Sequence, residues 1–361
     1  MKLLMVYNFD HHEAEVENPN FYRSCAEKVF PKLSVFTSFL PDLARSLLYK
    51  VLILFRVDKG QALNVCIFFW LIRYGHKYDV IVGWLTGGII AGFLKGILRW
   101  RNTRVCLILY RVPASNYSGI IDLVKKFVIR ISSNGADRVL ALDRLQAISF
   151  AELLGRGPDS TKALLYGIDT DWYDSRIMHI SQVVSPSTIF CPGSAYRDDS
   201  VLENAVFDID VCVKRYQLDD TGVSRAISER VGKAHIEKNY NAHYDDYISD
   251  CQNSSMVVIA VENSDKPVGL TALLECMALG RPVIISNGAS SRDYVSDGFT
   301  GLLFEEGNWQ QLREKIQFLL EHPDVAERMG ANAREQARLK YGLYPCGERF
   351  HHLIHDTGNA H

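Results

Sequence analysis

Apolar residues along this chain fall into short continuous runs separated by stretches of helical spacing. The runs at 3–7, 79–84, 105–112, 138–142 and 163–167 are rich in Val, Ile and Leu. Such runs suit strands of a parallel sheet that is buried on both faces. Between them, apolar positions recur every three or four residues at 22–30, 43–55, 61–74, 88–100, 120–132 and 144–154, which predicts helices. Residues 171–186 show no period and are expected to link a first domain, 1–170, to a second, 187–342. The second domain repeats the alternation through 188–191, 200–207, 211–213, 223–231, 244–251, 256–261 and 301–304. Two helices, 309–321 and 325–341, are expected to close it, before a last segment at 343–361. Strands alternating with helices in both halves predict an α/β protein of two doubly wound, Rossmann-like domains.

One segment carries chemistry as well as pattern. Lys266, Pro267, Val268 and Gly269 read as a loop. Leu270, Leu273, Leu274 and Met277 follow at helical spacing, Gly280 is a stop, and Pro282 opens the apolar run Val283-Ile284-Ile285. The predicted helix would present free backbone N–H groups at Gly269, Leu270 and Thr271, a ready site for phosphate oxygens. Glu275 lies about one turn further in, where a carboxylate can accept from a ribose diol. The same short segment thus offers grips for both the phosphate and the ribose of a nucleotide.

Composition narrows the class. At 361 residues, 47% hydrophobic and 23% charged, the chain is long enough for two globular domains, each with its own core. The eight cysteines are scattered singly with no Cys-x-x-Cys pair, which reads as reduced core thiols in a cytoplasmic protein and not as a zinc site. The start, Met1-Lys2-Leu3-Leu4-Met5-Val6-Tyr7, meets Asn8 and Asp10 too soon for a signal peptide and reads as a strand. Net charge is −2, yet residues 1–150 hold 20 Lys/Arg against 11 Asp/Glu, and the remainder holds 20 against 31. Nucleic acid is not the expected partner of the basic half, because its charges are spread among apolar residues with no recognition motif. No stretch is uninterrupted enough to span a membrane. Two apolar-basic stretches, 43–56 and 88–104, suit docking on an anionic membrane surface, which would place the protein peripherally at the inner membrane face.

The 266–285 segment resembles the donor-binding motif of family 4 retaining glycosyltransferases, which have the GT-B fold. The match is good from Gly269 to Ile285. It departs at the family's first glutamate, where Lys266 or Pro267 stands, and its Gly-to-Glu spacing is one residue longer. Further similarity follows at Ala163–Asp169, like the family's strand and Gly-x-Asp turn. It continues at Phe190–Asp198, where a strand leads to a Gly-rich turn around Gly193. The family's usual arginine directly after that glycine is Ser194 here, so Arg197 is the expected cation for the donor diphosphate. Residues 293–304 resemble the next turn and strand. Over residues 1–160 the resemblance is one of element order.

The resemblance implies two domains facing across a cleft, a nucleotide-sugar donor held on the second and an acceptor on the first, and retention of anomeric configuration. It implies no cofactor beyond the nucleotide-sugar co-substrate. Arg197, the predicted helix N-terminus and Lys266 would stabilise the departing diphosphate without metal. The triplets Asp169-Thr170-Asp171 and Asp208-Ile209-Asp210 are read as incidental carboxylates. In the first domain, Asp10 and His11 follow the first strand and are candidates for catalysis or acceptor binding, against a solvated loop. Arg111 is a candidate for the acceptor or the diphosphate, against a structural role. Gly87 and Gly88 allow either close approach of a ligand or close helix–sheet packing. The expected acceptor is a sugar or a lipid-linked glycan. Another GT-B enzyme, such as an epimerase or phosphorylase, and a catalytically silent nucleotide-sugar binder are the competing readings.

Overall fold

A computed structural model describes residues 3–6, 59–109, 126–127, 129–131, 133–157, 160–177, 187–219, 221–262 and 268–355. The helices expected at 22–30 and 43–55 lie outside these residues. The chain divides into two compact units, Met1–Leu165 with Cys346–His361, and Tyr166–Pro345.

In the first unit, β1 (Leu3–Val6), β2 (Val80–Trp84), β3 (Arg104–Leu109), β4 (Arg138–Ala141) and β5 (Thr161–Ala163) lie side by side in chain order. Every neighbouring pair is parallel. Helices α1 (Lys59–Tyr74), α2 (Leu85–Leu98) and α3 (Arg144–Leu154) supply the connections among the described residues. Ile81, Val105, Leu107, Val139 and Phe150 form the dry centre of the core. Asp143 caps α3 by accepting from the Gln146 N–H at 2.7 Å, and Gly155 ends it in the left-handed conformation. A Cβ on Gly88 would lie 2.3 Å from the Gly83 carbonyl oxygen, and one on Gly83 would lie 2.3 Å from the Gly88 Cα. Close helix–sheet packing therefore accounts for Gly88.

The second unit holds seven strands in the order β12-β11-β10-β6-β7-β9-β8. They are β6 (Thr188–Pro192), β7 (Cys212–Gln217), β8 (Arg225–Val231), β9 (Ala234–Tyr240), β10 (Met256–Ile259), β11 (Val283–Ser286) and β12 (Gly301–Phe304). All pairs are parallel except the β8–β9 hairpin. The chain winds outward from β6 to the hairpin, then returns to β10 on the other side of β6 and winds outward again. This reversal makes the sheet doubly wound and puts the switch point between the carboxyl ends of β6 and β10, where ligands bind in open α/β sheets.

The helices of this unit are α4 (Thr170–Ile177), α5 (Asp199–Val206), α6 (Tyr244–Asn253), α7 (Leu270–Ala278), α8 (Ala289–Tyr294), α9 (Trp309–Glu321) and α10 (Pro323–Gln336). A wider turn, Ala337–Tyr341, leads to α11 (Leu343–His355), whose residues from Cys346 group with the first unit. Two expectations change here. Part of the expected linker, 171–186, is helix α4; it is polar and buries only Thr170 and Tyr173, too few positions to show a period. The run at 223–231 is one arm of a hairpin, closed by the two-residue turn Gly232-Lys233 with Gly232 at φ 61°.

Candidate functional site

The switch point is built by a turn that folds back on itself. After β6 the chain passes Gly193, at φ 79°, and returns so that Arg197 bridges Val261 in antiparallel fashion just beyond β10. Asp198 N–H donates to the Ala260 carbonyl and Glu262 N–H to the Tyr196 carbonyl, both at 3.0 Å. The Val261 N–H donates to Ser286 Oγ at 2.9 Å, which ties the end of β10 to β11. Asp198 then accepts from Val201 N–H at 3.1 Å and caps α5.

This turn fixes the Arg197 side chain. Its Nε donates to the Pro192 carbonyl and its Nη1 to the Ala195 carbonyl, each at 2.9 Å. A Cβ on Gly193 would come within 2.7 Å of Nη2, and one on Gly269 would lie 3.5 Å from Nη1. Both glycines sit at positive φ, and at Gly193 the guanidinium occupies space that a side chain would fill. Among the described residues no carboxylate pairs with Arg197. Desolvation lowers its pKa from the ordinary 12.5, but an arginine so placed keeps its charge.

Gly269, with φ 75°, is the N-cap of α7 and provides no side-chain cap. The first turn of α7 also carries no acidic residue, so its positive end is uncompensated by a local carboxylate. The helix stops at Gly280, φ 74°, where the Gly280 and Arg281 N–H groups close on Met277 and Cys276. The buried strand β11 follows, as its apolar run predicts. Arg197, Gly193, Gly269, Leu270 and Thr271 are therefore brought to one place, with the arginine against the head of the helix.

Glu275 is on the same helix but in a different setting. It is 6% exposed. Its Oε2 accepts from Tyr247 OH at 2.7 Å and its Oε1 from Tyr244 OH at 3.2 Å. Tyr244 OH also meets Tyr173 OH at 2.5 Å, and the Tyr244 and Tyr247 rings stack at 5.3 Å. Burial pushes the Glu275 carboxyl above its ordinary 4.5, and the tyrosine hydroxyls oppose that shift by bonding to the charged form. Sequence reasoning did not find these tyrosines. Tyr244 and Tyr247 are one turn apart on α6 and Tyr173 lies in the expected linker, so nothing local in the sequence joins them to Glu275.

Asp10, His11, Arg111 and Lys266 lie outside the described residues. Of the Asp-x-Asp triplets, Asp169 accepts from Trp172 N–H at 3.1 Å at the start of α4, and Asp208 pairs with Arg313 at 3.1 Å. Among the described residues no group of three His, Cys, Asp or Glu is arranged to hold a metal ion.

Residues 225–336, which include α6 and α7, match the family model described as glycosyl transferases group 1. An uncharacterized glycosyltransferase of Methanocaldococcus jannaschii is 30% identical over 149 residues, 40% of this chain and 41% of that one. The D-rhamnosyltransferase WbpZ of Pseudomonas aeruginosa is 25% identical over 218 residues, 57% of this chain and 55% of that one. A trehalose synthase of Pyrococcus horikoshii is 34% identical over 90 residues, 25% of this chain and 21% of its own length. The chain thus spans less than two thirds of the length of these relatives. Among solved structures, Anabaena HepE in complex with UDP and glucose superposes with a TM-score of 0.68 over 98% of this chain and 99% of that one, at 15% identity. A glycosyltransferase from Rickettsia africae gives 0.66 over 98% and 97%, also at 15% identity. The fold is GT-B.

The buried carboxylate makes stability pH-dependent with a definite sign. A Glu275 pKa raised in the folded state means that folding takes up a proton above 4.5, so the residue supports the fold best below that pH. Its contribution falls as pH rises from there through the folded pKa. In urea denaturation, the unfolding free energy of the wild type relative to Glu275→Gln should decline as pH rises above about 4.5. A difference that stays constant as pH rises would show that burial does not shift the carboxyl.

Proposed function

We propose that this protein is a glycosyltransferase that moves a sugar from a nucleotide-sugar donor to an acceptor, with the donor held at the switch point of the second unit. The observation that carries the reading is Arg197. Its guanidinium has no carboxylate partner among the described residues, and it is held by two carbonyls against the head of a helix without a side-chain cap. A diphosphate supplies the charge and acceptor atoms that this arrangement lacks. The family match over residues 225–336 and the names of the relatives point the same way.

The chemistry follows from charge. As the bond between the anomeric carbon and the diphosphate oxygen breaks, negative charge grows on the leaving group, while the acceptor oxygen bonds to that carbon and passes its proton to the departing diphosphate. Arg197 and the α7 N–H groups are fixed before the reaction, so they stabilise that charge with little reorganisation. Departure of the diphosphate then needs no divalent ion, and retention is the outcome carried over from the family resemblance. Arg197→Ala should lower kcat on the order of a hundredfold while changing KM less, and wild-type turnover should persist in EDTA. An effect confined to KM would make Arg197 a ground-state ligand, and loss of activity in EDTA restored by magnesium would overturn the metal-free step.

Glu275 is assigned to the ribose. Each of its oxygens accepts one tyrosine hydroxyl and retains a further lone pair for a ribose diol. Glu275→Ala should weaken binding of the donor and of its free nucleoside diphosphate alike, by about tenfold or more, measured by calorimetry. Equal affinities in folded wild type and variant would remove the residue from the site.

For the acceptor we favour a lipid-linked glycan presented at an anionic membrane. The described surface narrows the stretch at 88–104. Trp100 is buried, Lys95 pairs with Asp137, and Arg104 donates to the Ile354 carbonyl, which leaves Ile97, Leu98, Arg99 and Arg101 exposed. The stretch at 43–56 lies outside the described residues. No helix among the described residues is long and apolar enough to cross a membrane. Two basic residues near a surface contribute about 1 kcal/mol each. Flotation with phosphatidylserine vesicles should show binding that high salt releases, and no binding at low salt would reject docking.

A further inference from the structure

Among the described residues, the outer edge of the second unit's sheet is a strand paired on one side only. β8 ends the order β12-β11-β10-β6-β7-β9-β8, and it pairs with β9 on one side only, in unbroken register from Arg225↔Tyr240 to Val231↔Ala234. It contains no proline and no bulge, two of the devices that stop an edge from recruiting another strand, although it does carry charged residues. Residues 225–228 are exposed on both faces of the hairpin. Large apolar residues gather on this margin. Val223 and Ile227 are exposed on or beside β8, Leu218 is exposed at the end of β7, and Phe207 is exposed against the Gly232 turn.

The order of residues along β8 is self-complementary. Place a second copy of the strand antiparallel to the first about a two-fold axis through Ile227. Ile227 then faces its own copy, and Arg225 faces Glu229 of the other strand. These three residues of β8 have the same parity and so share one face. The register therefore aligns an apolar pair on the axis and two opposite-charge pairs around it. Shifting the axis by one residue, to Ser228, sets Ile227 against Glu229 and Ala226 against Arg230, and the complementarity is lost. Within its own chain Glu229 already pairs with Lys238, and Arg225 pairs with Asp219 and lies over the Tyr240 ring at 4.2 Å. Both charges are thus held at the margin rather than left to rotate freely.

We propose that β8 is a homodimer interface, with two copies of the chain joined edge to edge through antiparallel β8 strands centred on Ile227. The sheets of the two second units then run on as one. This places the contact at the far end of the sheet from β12, three strands away from β6 and its switch point.

Sedimentation velocity of the full chain over a concentration series tests this directly. Wild type should move toward twice the chain mass as concentration rises. Arg225→Glu and Glu229→Arg each set like charges opposite one another at both symmetry-related positions, and each should raise the dissociation constant roughly tenfold or more. An equimolar mixture of the two variants restores opposite charges at both positions and should recover the dimer. Ile227→Lys changes an exposed side chain, so the monomer should stay folded by circular dichroism but should not dimerise. A wild type that stays monomeric throughout would overturn the proposal. So would a dimer indifferent to these substitutions, or single variants whose mixture remains monomeric.

Discussion

The parallel contact between β6 and β10 is the constraint from which the second unit's site follows. These strands are neighbours in the sheet but are separated in sequence by the whole excursion through β7, β8 and β9. Their pairing through Met256↔Ile189 and Val257↔Phe190 is dry on both faces. Parallel pairing sends both chains out of the sheet at the same end, so the turn after β6 and the loop after β10 must meet there. The Arg197–Val261 bridge is that meeting. Arg197 is aimed by backbone carbonyls, and among the described residues no carboxylate pairs with it.

The polar groups next to this core show how buried charge is managed. Arg215 is 3% exposed and pairs with Asp199, with Glu203 at 3.9 Å, so carboxylates on α5 offset part of its cost of desolvation. Lys214 and Tyr216 both bond Asp250, each at 2.7 Å. Glu275 is treated differently: among the described residues no cation compensates it. Tyrosine hydroxyls hold it there, and hydroxyls stabilise a carboxylate less completely than a guanidinium does. Burial therefore still raises its pKa. A group left short of its full complement inside a ligand-binding end of a sheet has capacity for one more donor.

The first unit is built on backbone proximity more than on polar contacts. Gly83 and Gly88 bring α2 against β2, and a Cβ on Gly135 would lie 1.8 Å from the Gly92 carbonyl oxygen, so the chain before β4 also lies directly on α2. The apolar helix α2 thus buries Ala91 and Leu94 while Ile97 and Leu98 stay in solvent.

Sequence alone determined the alternating strands and helices, the α7–β11 segment with its glycine stop, and the candidacy of Gly193, Arg197, Gly269 and Glu275. Those are local matters: periodicity, turn residues and residue type are properties of neighbours in the chain. Helix α4 and the β8–β9 hairpin were less legible. One buries too few residues to show a period, and the other is exposed over much of its first strand and so lacks an apolar run. The tertiary structure alone decided what surrounds each candidate. Tyr173, Tyr244 and Tyr247 reach Glu275 across 28 to 102 residues of chain, and Arg197 reaches Gly269 only because β6 and β10 are adjacent. Gly88 was open to two readings until the sheet placed Gly83 beneath it. Contacts of that separation depend on how strands are ordered in the sheet, and no short-range pattern encodes that order.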